Sequence, residues 1–371
     1  MMDNAKHIPC DLLLNPKDPI YDEEIRRFQG CPTIAVTKGG RIFLAWYAGG
    51  TKEPHMENYN VLIKSEDGVN WSEPVLIIPS SKERLVHALD IQLWCAPTGE
   101  LYVIWVQNNV VKTTDGIRPE GLDPDCPWVS VEGYDFPDFE HAMWISVCRN
   151  PDADVLVFEE PRCVDKGFLR CKPTVQKDGR WLFFNYDQLS DRYGYSYSDD
   201  KGKTFTHAYG PKKYPTTFDE AMAYEKLDGT VRVFARAHGG RIAEFSFNEK
   251  MSEYTEPKQT DIPNPDTRFY IGRTPSGRIL LVNNHMEKGR TNMSVYLSED
   301  DGETFKYRRV VDERITSYPD VDFKDGRIYL TVDHERMEAR EILLFNFTEE
   351  DIMNEEYVFV PQIISKPKIE I

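Results

Sequence analysis

Six times along the 371-residue chain, a short run of β-formers meets a glycine-bearing turn and continues into an alternating or apolar run. The copies are TIAVTKGGRIFLAWY, LWCAPTGELYVIWV, TVQKDGRWLFFNY, AYEKLDGTVRVFAR, GRTPSGRILLVNN and VDFKDGRIYLTVD. Their turn glycines are Gly39, Gly99, Gly179, Gly229, Gly277 and Gly326, spaced by 60, 80, 50, 48 and 49 residues. Glycine supplies the positive φ that a tight strand connection needs, so each copy reads as a β-hairpin. A second signature trails the hairpins. Ser298–Phe305 reads SEDDGETF, Ser198–Phe205 reads SDDKGKTF, and Ser65–Trp71 is the same turn one residue shorter, with weaker echoes from Ser146 and Ser246. In such a turn the aspartate accepts backbone N–H bonds, glycine takes the left-handed step and the aromatic packs beneath.

Repeats of about 50 residues made only of strands predict propeller blades of four strands each. The expected fold is therefore all-β, a six-bladed β-propeller with four-stranded antiparallel blades in a single domain over 1–371. A two-sheet sandwich is the alternative. The long second spacing falls on residues 110–140, rich in Pro, Gly and Asp, which reads as an insertion in the second blade. The apolar stretch YVFVPQIIS is expected to supply a strand that closes the ring, with help from residues 8–14.

A net charge of −17 argues against a nucleic-acid partner, because phosphate binding needs a dense Lys/Arg surface. It leaves room for an anionic small substrate, since a pocket can be basic inside an acidic shell. No apolar run approaches the roughly 18–20 residues that span a bilayer, so no membrane partner is expected. The first residues have neither a basic start nor an apolar stretch of signal-peptide length, which points to a cytoplasmic protein. Seven cysteines without C-x-x-C spacing read as reduced thiols and give no zinc site.

The first strand of a blade lines the propeller axis, and its leading end faces the mouth. Counting eight or nine residues back from each turn glycine gives Gly30/Cys31, Asp90, Arg170/Cys171, Glu220, Arg268 and Tyr318. Burying so many charged or hydroxyl groups together is costly unless they pair or meet a ligand.

These turns and hairpins resemble the sialidase (Asp-box) superfamily over nearly the whole chain, and the GGTKE segment looks like a divergent, BNR_2-type branch of it. DEAMAYEKLDGTVRVFAR, from Asp219, resembles the stretch that carries a catalytic Glu and a substrate-binding Arg. The resemblance thus implies Glu220 as base and Arg236 as one arm of a carboxylate clamp. RTNMSVYLSEDDGETF resembles the stretch with a second clamp residue, here Arg290, and SYPDVDFKDGRIYL the last-blade stretch with the nucleophilic tyrosine, here Tyr318. A carboxylate on the anomeric carbon would repel an Asp or Glu nucleophile, whereas a tyrosine deprotonated by a neighbouring Glu avoids that repulsion. Planar guanidinium groups bind a carboxylate through paired, charge-assisted bonds.

Two family features are replaced. Where sialidases keep a first-blade Arg in an R-I-P-like triplet, this chain has Gly30-Cys31-Pro32; Arg268 or Arg27 is the expected substitute, Arg268 preferred. Where they keep an acidic Asp, WYAGGTKEPHMENYN offers Glu53, with Glu57 or His55 as alternatives. Asp90, with His87 and Trp94, is a candidate for sugar hydroxyls, and His141 for reaching over the pocket. The expected function is a retaining exo-glycosidase for an oligosaccharide or glycoside with an acidic sugar, needing no cofactor. The alternatives are a Tyr/His polysaccharide lyase or uronate-directed glycosidase, fed by His238, His285 and His334, and a silent carbohydrate-binding propeller.

Overall fold

A computed structural model describes residues 8–112, 128–137 and 141–368. The chain is all-β. Most strands fold in sequence order into six antiparallel sheets of four or five strands, beside a small three-stranded sheet and a two-stranded pairing of Phe168–Leu169 with Asn185–Tyr186. Each of the six runs outward from its first strand: Gln29–Val36, Val86–Cys95, Thr174–Val175, Ala221–Glu225, Tyr270–Arg273 and Thr316–Lys324. Five have four strands, and the first gains a fifth at its outer edge, where Leu13–Leu14 pairs with Leu76–Ile77. The only α-helix among the described residues, Glu349–Met353, is far too short to cross a membrane.

The hairpin turns form as their glycines require. Gly99, Gly179, Gly229, Gly277 and Gly326 all have positive φ. In the first hairpin the left-handed step falls on Gly40 rather than Gly39, and the Gly40 N–H bonds back to the Thr37 carbonyl. In the sixth, Asp325 and Gly326 are both left-handed, the pairing that suits a two-residue hairpin.

The serine–aspartate turns join the third and fourth strands of sheets one, three and five. Ser198 Oγ accepts the Gly202 N–H and donates to Asp200, while Asp200 accepts both the N–H and the hydroxyl of Thr204. Ser298, Asp300, Gly302 and Thr304 repeat these bonds. These turn glycines also seat the sheets on one another. A Cβ at Gly302 would lie 2.1 Å from Tyr224 Oη of the fourth sheet, one at Gly202 2.7 Å from Tyr102 Oη of the second, and one at Gly68 3.3 Å from Tyr329 of the sixth.

The apolar core is divided among the faces between successive sheets. Separate clusters join the first sheet to the second, the second to the third and the third to the fourth. A larger one spans the fourth, fifth and sixth, and another joins Tyr329, Ile342 and Leu344 of the sixth to Ile34, Leu44 and Trp46 of the first. Each fully buried aliphatic or aromatic side chain stabilises this packing by about 1.5–3 kcal/mol.

Two local expectations need correction. Gln362–Ser365, from the apolar C-terminal stretch, pairs with Glu341–Thr348 and completes the sixth sheet rather than joining the first. Residues 13–14 only extend the first sheet's outer edge. The link between these sheets is made by side chains: Gln29 Nε2 donates to Ser365 Oγ (3.0 Å), and Asp320 accepts the Thr33 hydroxyl and the Ile34 N–H. The insertion leaves the second sheet after Asn109. Its described part, Val111–Lys112, Trp128–Val131 and Tyr134–Pro137, forms a small sheet of its own; residues 113–127 and 138–140 lie outside the described residues, Cys126 among them. The other six cysteines are free thiols.

Candidate functional site

Three first strands share one irregularity at the leading end. Pairing with the second strand slips between Gly30 and Thr33, between Leu89 and Gln92, and between Ser317 and Asp320. In each slip one residue is left-handed: Cys31 (φ 56°), Asp90 (φ 54°) and Tyr318 (φ 54°). A bulge breaks the in–out alternation of a strand and re-aims a side chain. All three line one cavity of about 430 Å³.

Glu53, Asp90, Glu220, Arg236, Arg290 and Tyr318 line that cavity together, with Arg170 and Arg336. The remainder of the wall is mostly apolar or aromatic and includes Phe168, Tyr186, Phe218 and the insertion's Phe136, with Asn108 as a polar exception. Phe168 and Tyr186 stack at 4.9 Å, and His141 lies 3.8 Å from Phe168. Burial holds the His87 and His141 imidazoles down at about 3, so both are neutral. His87 Nε2 lies 2.7 Å from Tyr47 Oη, and both residues line the cavity.

Tyr318 sits among guanidinium groups. The centroid of its ring lies 4.1 Å from the guanidinium carbon of Arg336, 5.0 Å from that of Arg170, 5.1 Å from Arg268 and 5.5 Å from Arg290. Arg236 Nη1 bridges Glu220 Oε2 (2.9 Å) and the Tyr318 hydroxyl (3.4 Å), and its Nε donates to Asp266 (2.8 Å). Burial and the Glu220 charge raise the phenol above its usual range, with Arg236 and Arg336 opposing. Burial would also raise the Glu220 carboxyl, but Arg236 and Arg170 outweigh it and hold the group at about 2. Asp90 is pushed by burial up to about 6, against the pull of Arg170 at 2.5 Å.

The lining carries four guanidiniums against three carboxylates. Arg170 pairs with Asp90 and Glu220, Arg236 with Glu220, and Arg336 with Glu53. Arg290 has no carboxylate partner among the described residues. Asp266 and Asp333 stand behind Arg236 and Arg336. With those two the carboxylates outnumber the guanidiniums, and Arg290 is the cavity guanidinium without a carboxylate among the described residues, open to an anion.

Arg268 does not line the cavity, contrary to the expectation. Its side chain is 2% exposed, and its two terminal nitrogens donate to the carbonyls of Arg170, Tyr318, Pro319 and Pro32. It ties sheet ends together, with both terminal nitrogens engaged by main-chain carbonyls. Arg27 and Glu57 line a separate hollow on the far side of the Gly49–Asn58 loop, and His55 meets Glu132 at 3.0 Å. Trp94 packs edge-on against Trp181 in the core. His238, His285 and His334 are bonded to Asp266, Tyr296 and Glu341, away from this cavity. Sequence reasoning missed Arg336, which no motif marks. The signal for it was Gly30, a residue without a side chain where the family keeps an arginine. Among the described residues no three His, Cys, Asp or Glu side chains gather to hold a metal ion.

The model of the BNR repeat-like domain matches residues 40–330. None of the curated proteins matches the chain. Among solved structures, a Dyadobacter fermentans protein of unknown function superposes with a TM-score of 0.68 at 18% identity, over 89% of this chain and 95% of that one. The NanB sialidase of Streptococcus pneumoniae gives 0.66 at 16%, over 93% and 71%. The intramolecular trans-sialidase of Ruminococcus gnavus, in complex with oseltamivir carboxylate, gives 0.67 at 14%, over 93% and 98%. With this match over most of its length the chain belongs to the BNR repeat-like family, and it shares the fold of the sialidases.

Proposed function

We propose that this chain is a sialidase-like retaining exo-glycosidase for a carboxylate-bearing sugar, built as a closed six-bladed propeller. The blade reading is supported by the cyclic order of contacts: each sheet packs on the next, and the sixth on the first. The functional reading is carried by one observation, the Tyr318 phenol set among guanidiniums in a cavity where Arg290 has no carboxylate partner among the described residues.

In this reading Arg236 and Arg290 hold the substrate carboxylate beside Tyr318. The tyrosine oxygen attacks the anomeric carbon as its proton passes towards Glu220, which Arg236 and Arg170 keep ionised. Arg236, bonded to both groups, stabilises the negative charge on whichever oxygen carries it. Glu53 is the candidate donor of the proton that the leaving oxygen takes. Water then cleaves the glycosyl–tyrosine bond, with Glu53 acting in reverse. Asp90, at the same wall, is placed to accept sugar hydroxyls.

The test is turnover of 4-methylumbelliferyl glycosides of acidic sugars by the native chain and by Tyr318→Phe. Loss of turnover in the variant, with its fold intact, is expected; activity untouched by the change would sink the mechanism. Binding without turnover would favour a carbohydrate-binding propeller. A lyase is the second reading, favoured by the Tyr47–His87 pair, and it would release an unsaturated, ultraviolet-absorbing product from uronate polymers.

A further inference from the structure

We propose that Arg336 is the third carboxylate-binding arm of this cavity, and that Glu53 holds its place until a substrate carboxylate displaces it. This rests on the acidic-sugar reading above and adds to it a residue and a sequence of events. Arg336 follows the sixth sheet's second strand, Arg327–His334, and its side chain runs across Gly30. A Cβ at Gly30 would lie 2.8 Å from Arg336 Cγ and Cδ and 2.9 Å from Nε. The room left by the first-blade glycine is therefore the room Arg336 occupies. An arginine reaches the Tyr318 face there from the last sheet instead of the first.

The three nitrogens of Arg336 differ in how they are held. Nε donates to Asp333 Oδ2 (2.9 Å), and Asp333 is itself fixed by the Cys31 N–H and the Ser317 hydroxyl. That edge is anchored. Nη1 donates to Glu53 Oε1 (2.7 Å), and Nη2 is buried with no hydrogen-bond partner among the described residues. Nη1 and Nη2 together form the fork that a carboxylate grips with both oxygens, and Glu53 engages only one tine. The Glu53 side chain is 33% exposed on a loop, whereas Asp333 is buried, so Glu53 is the partner able to leave. An incoming carboxylate that takes both tines satisfies Nη2 and returns Glu53 to the cavity beside the reacting bond.

The experiment is calorimetric titration of the full chain with three probes: 2-deoxy-2,3-didehydro-N-acetylneuraminic acid, benzoate, and uncharged benzamide. Arg336→Met is expected to weaken both carboxylates by about tenfold or more and to leave benzamide unchanged, with Arg336→Lys intermediate. Glu53→Gln is expected to tighten both carboxylates several-fold, since it removes a charged competitor. Unchanged carboxylate binding in folded Arg336→Met overturns the proposal, as does weaker or unchanged binding in Glu53→Gln. Failure of the native chain to bind either carboxylate at millimolar concentration also overturns it. If Arg336→Met does not fold, the lysine and Glu53 variants decide. Carboxylate binding that follows these expectations without glycoside turnover leaves Arg336 standing and counts against the glycosidase reading.

Discussion

Replacing Arg268 by methionine should destabilise the fold by about 3–5 kcal/mol. Its Nη1 donates to the Arg170 carbonyl at 2.6 Å, and Nη2 meets the carbonyls of Tyr318 (2.8 Å), Pro319 (3.1 Å) and Pro32 (3.2 Å). Nη2 has two hydrogens, so these contacts amount to three full bonds. At about 1.5–3 kcal/mol for a bond to a charged group, the gross loss is about 5–9 kcal/mol. Against that, the variant no longer has to take a guanidinium out of water, a cost of several kcal/mol, and methionine keeps most of the stem packing. Nε, buried and unbonded, adds nothing to the loss. Urea denaturation followed by tryptophan fluorescence measures the difference, with benzoate binding of the folded variant as a second readout. A loss below about 1 kcal/mol would refute the strut argument. An unchanged midpoint with abolished benzoate binding would restore Arg268 as a ligand arm.

Asp90 predicts a pH effect of defined sign. Burial raises its carboxyl from 3.8 to about 6, so the folded chain holds this proton more tightly than the unfolded chain. Its contribution to stability is full below the unfolded value and is lost as the pH rises through about 6. Asp90→Asn should flatten that part of the melting-temperature profile; identical profiles for the two proteins would refute it. At Gly30, alanine should displace Arg336 and weaken benzoate binding. The pair Gly30→Arg with Arg336→Ala should recover binding by supplying the guanidinium from the other side of the same space. Binding in Gly30→Ala equal to that of the native chain would show that the space is not shared.

The strand plan was legible because each hairpin carries its own local turn chemistry. Gly99, Gly179, Gly229 and Gly277 need no distant partner to specify a turn, and neither do Ser198, Asp200 and Thr204. Side-chain direction was less legible. Counting back from the turn glycines placed Arg170 and Arg268 as equivalents, yet one faces the cavity and the other donates to main-chain carbonyls. That difference depends on where the neighbouring strands leave carbonyls unpaired, which no single strand encodes. Arg336 was invisible for a related reason. It lies past a strand end with no motif around it, and only its fit against Gly30, 306 positions earlier in the chain, reveals it. Phe136 came from a stretch marked only as an insertion, and its place on the wall depends on how that excursion folds back.

The three left-handed residues at the cavity carry a consequence for divergence. A positive φ is open to glycine, asparagine and aspartate with little strain and nearly closed to valine, isoleucine and threonine. Positions 31, 90 and 318 therefore disfavour β-branched residues whatever the ligand; aspartate suits position 90, whereas Cys31 and Tyr318 are held there by the surrounding sheet against the local preference. Among the residues those positions tolerate, one can replace another without reshaping the sheet. Relatives that keep the three slips can acquire new specificities by exchanging single letters there, whereas a relative that loses a slip must rebuild the strand entry first.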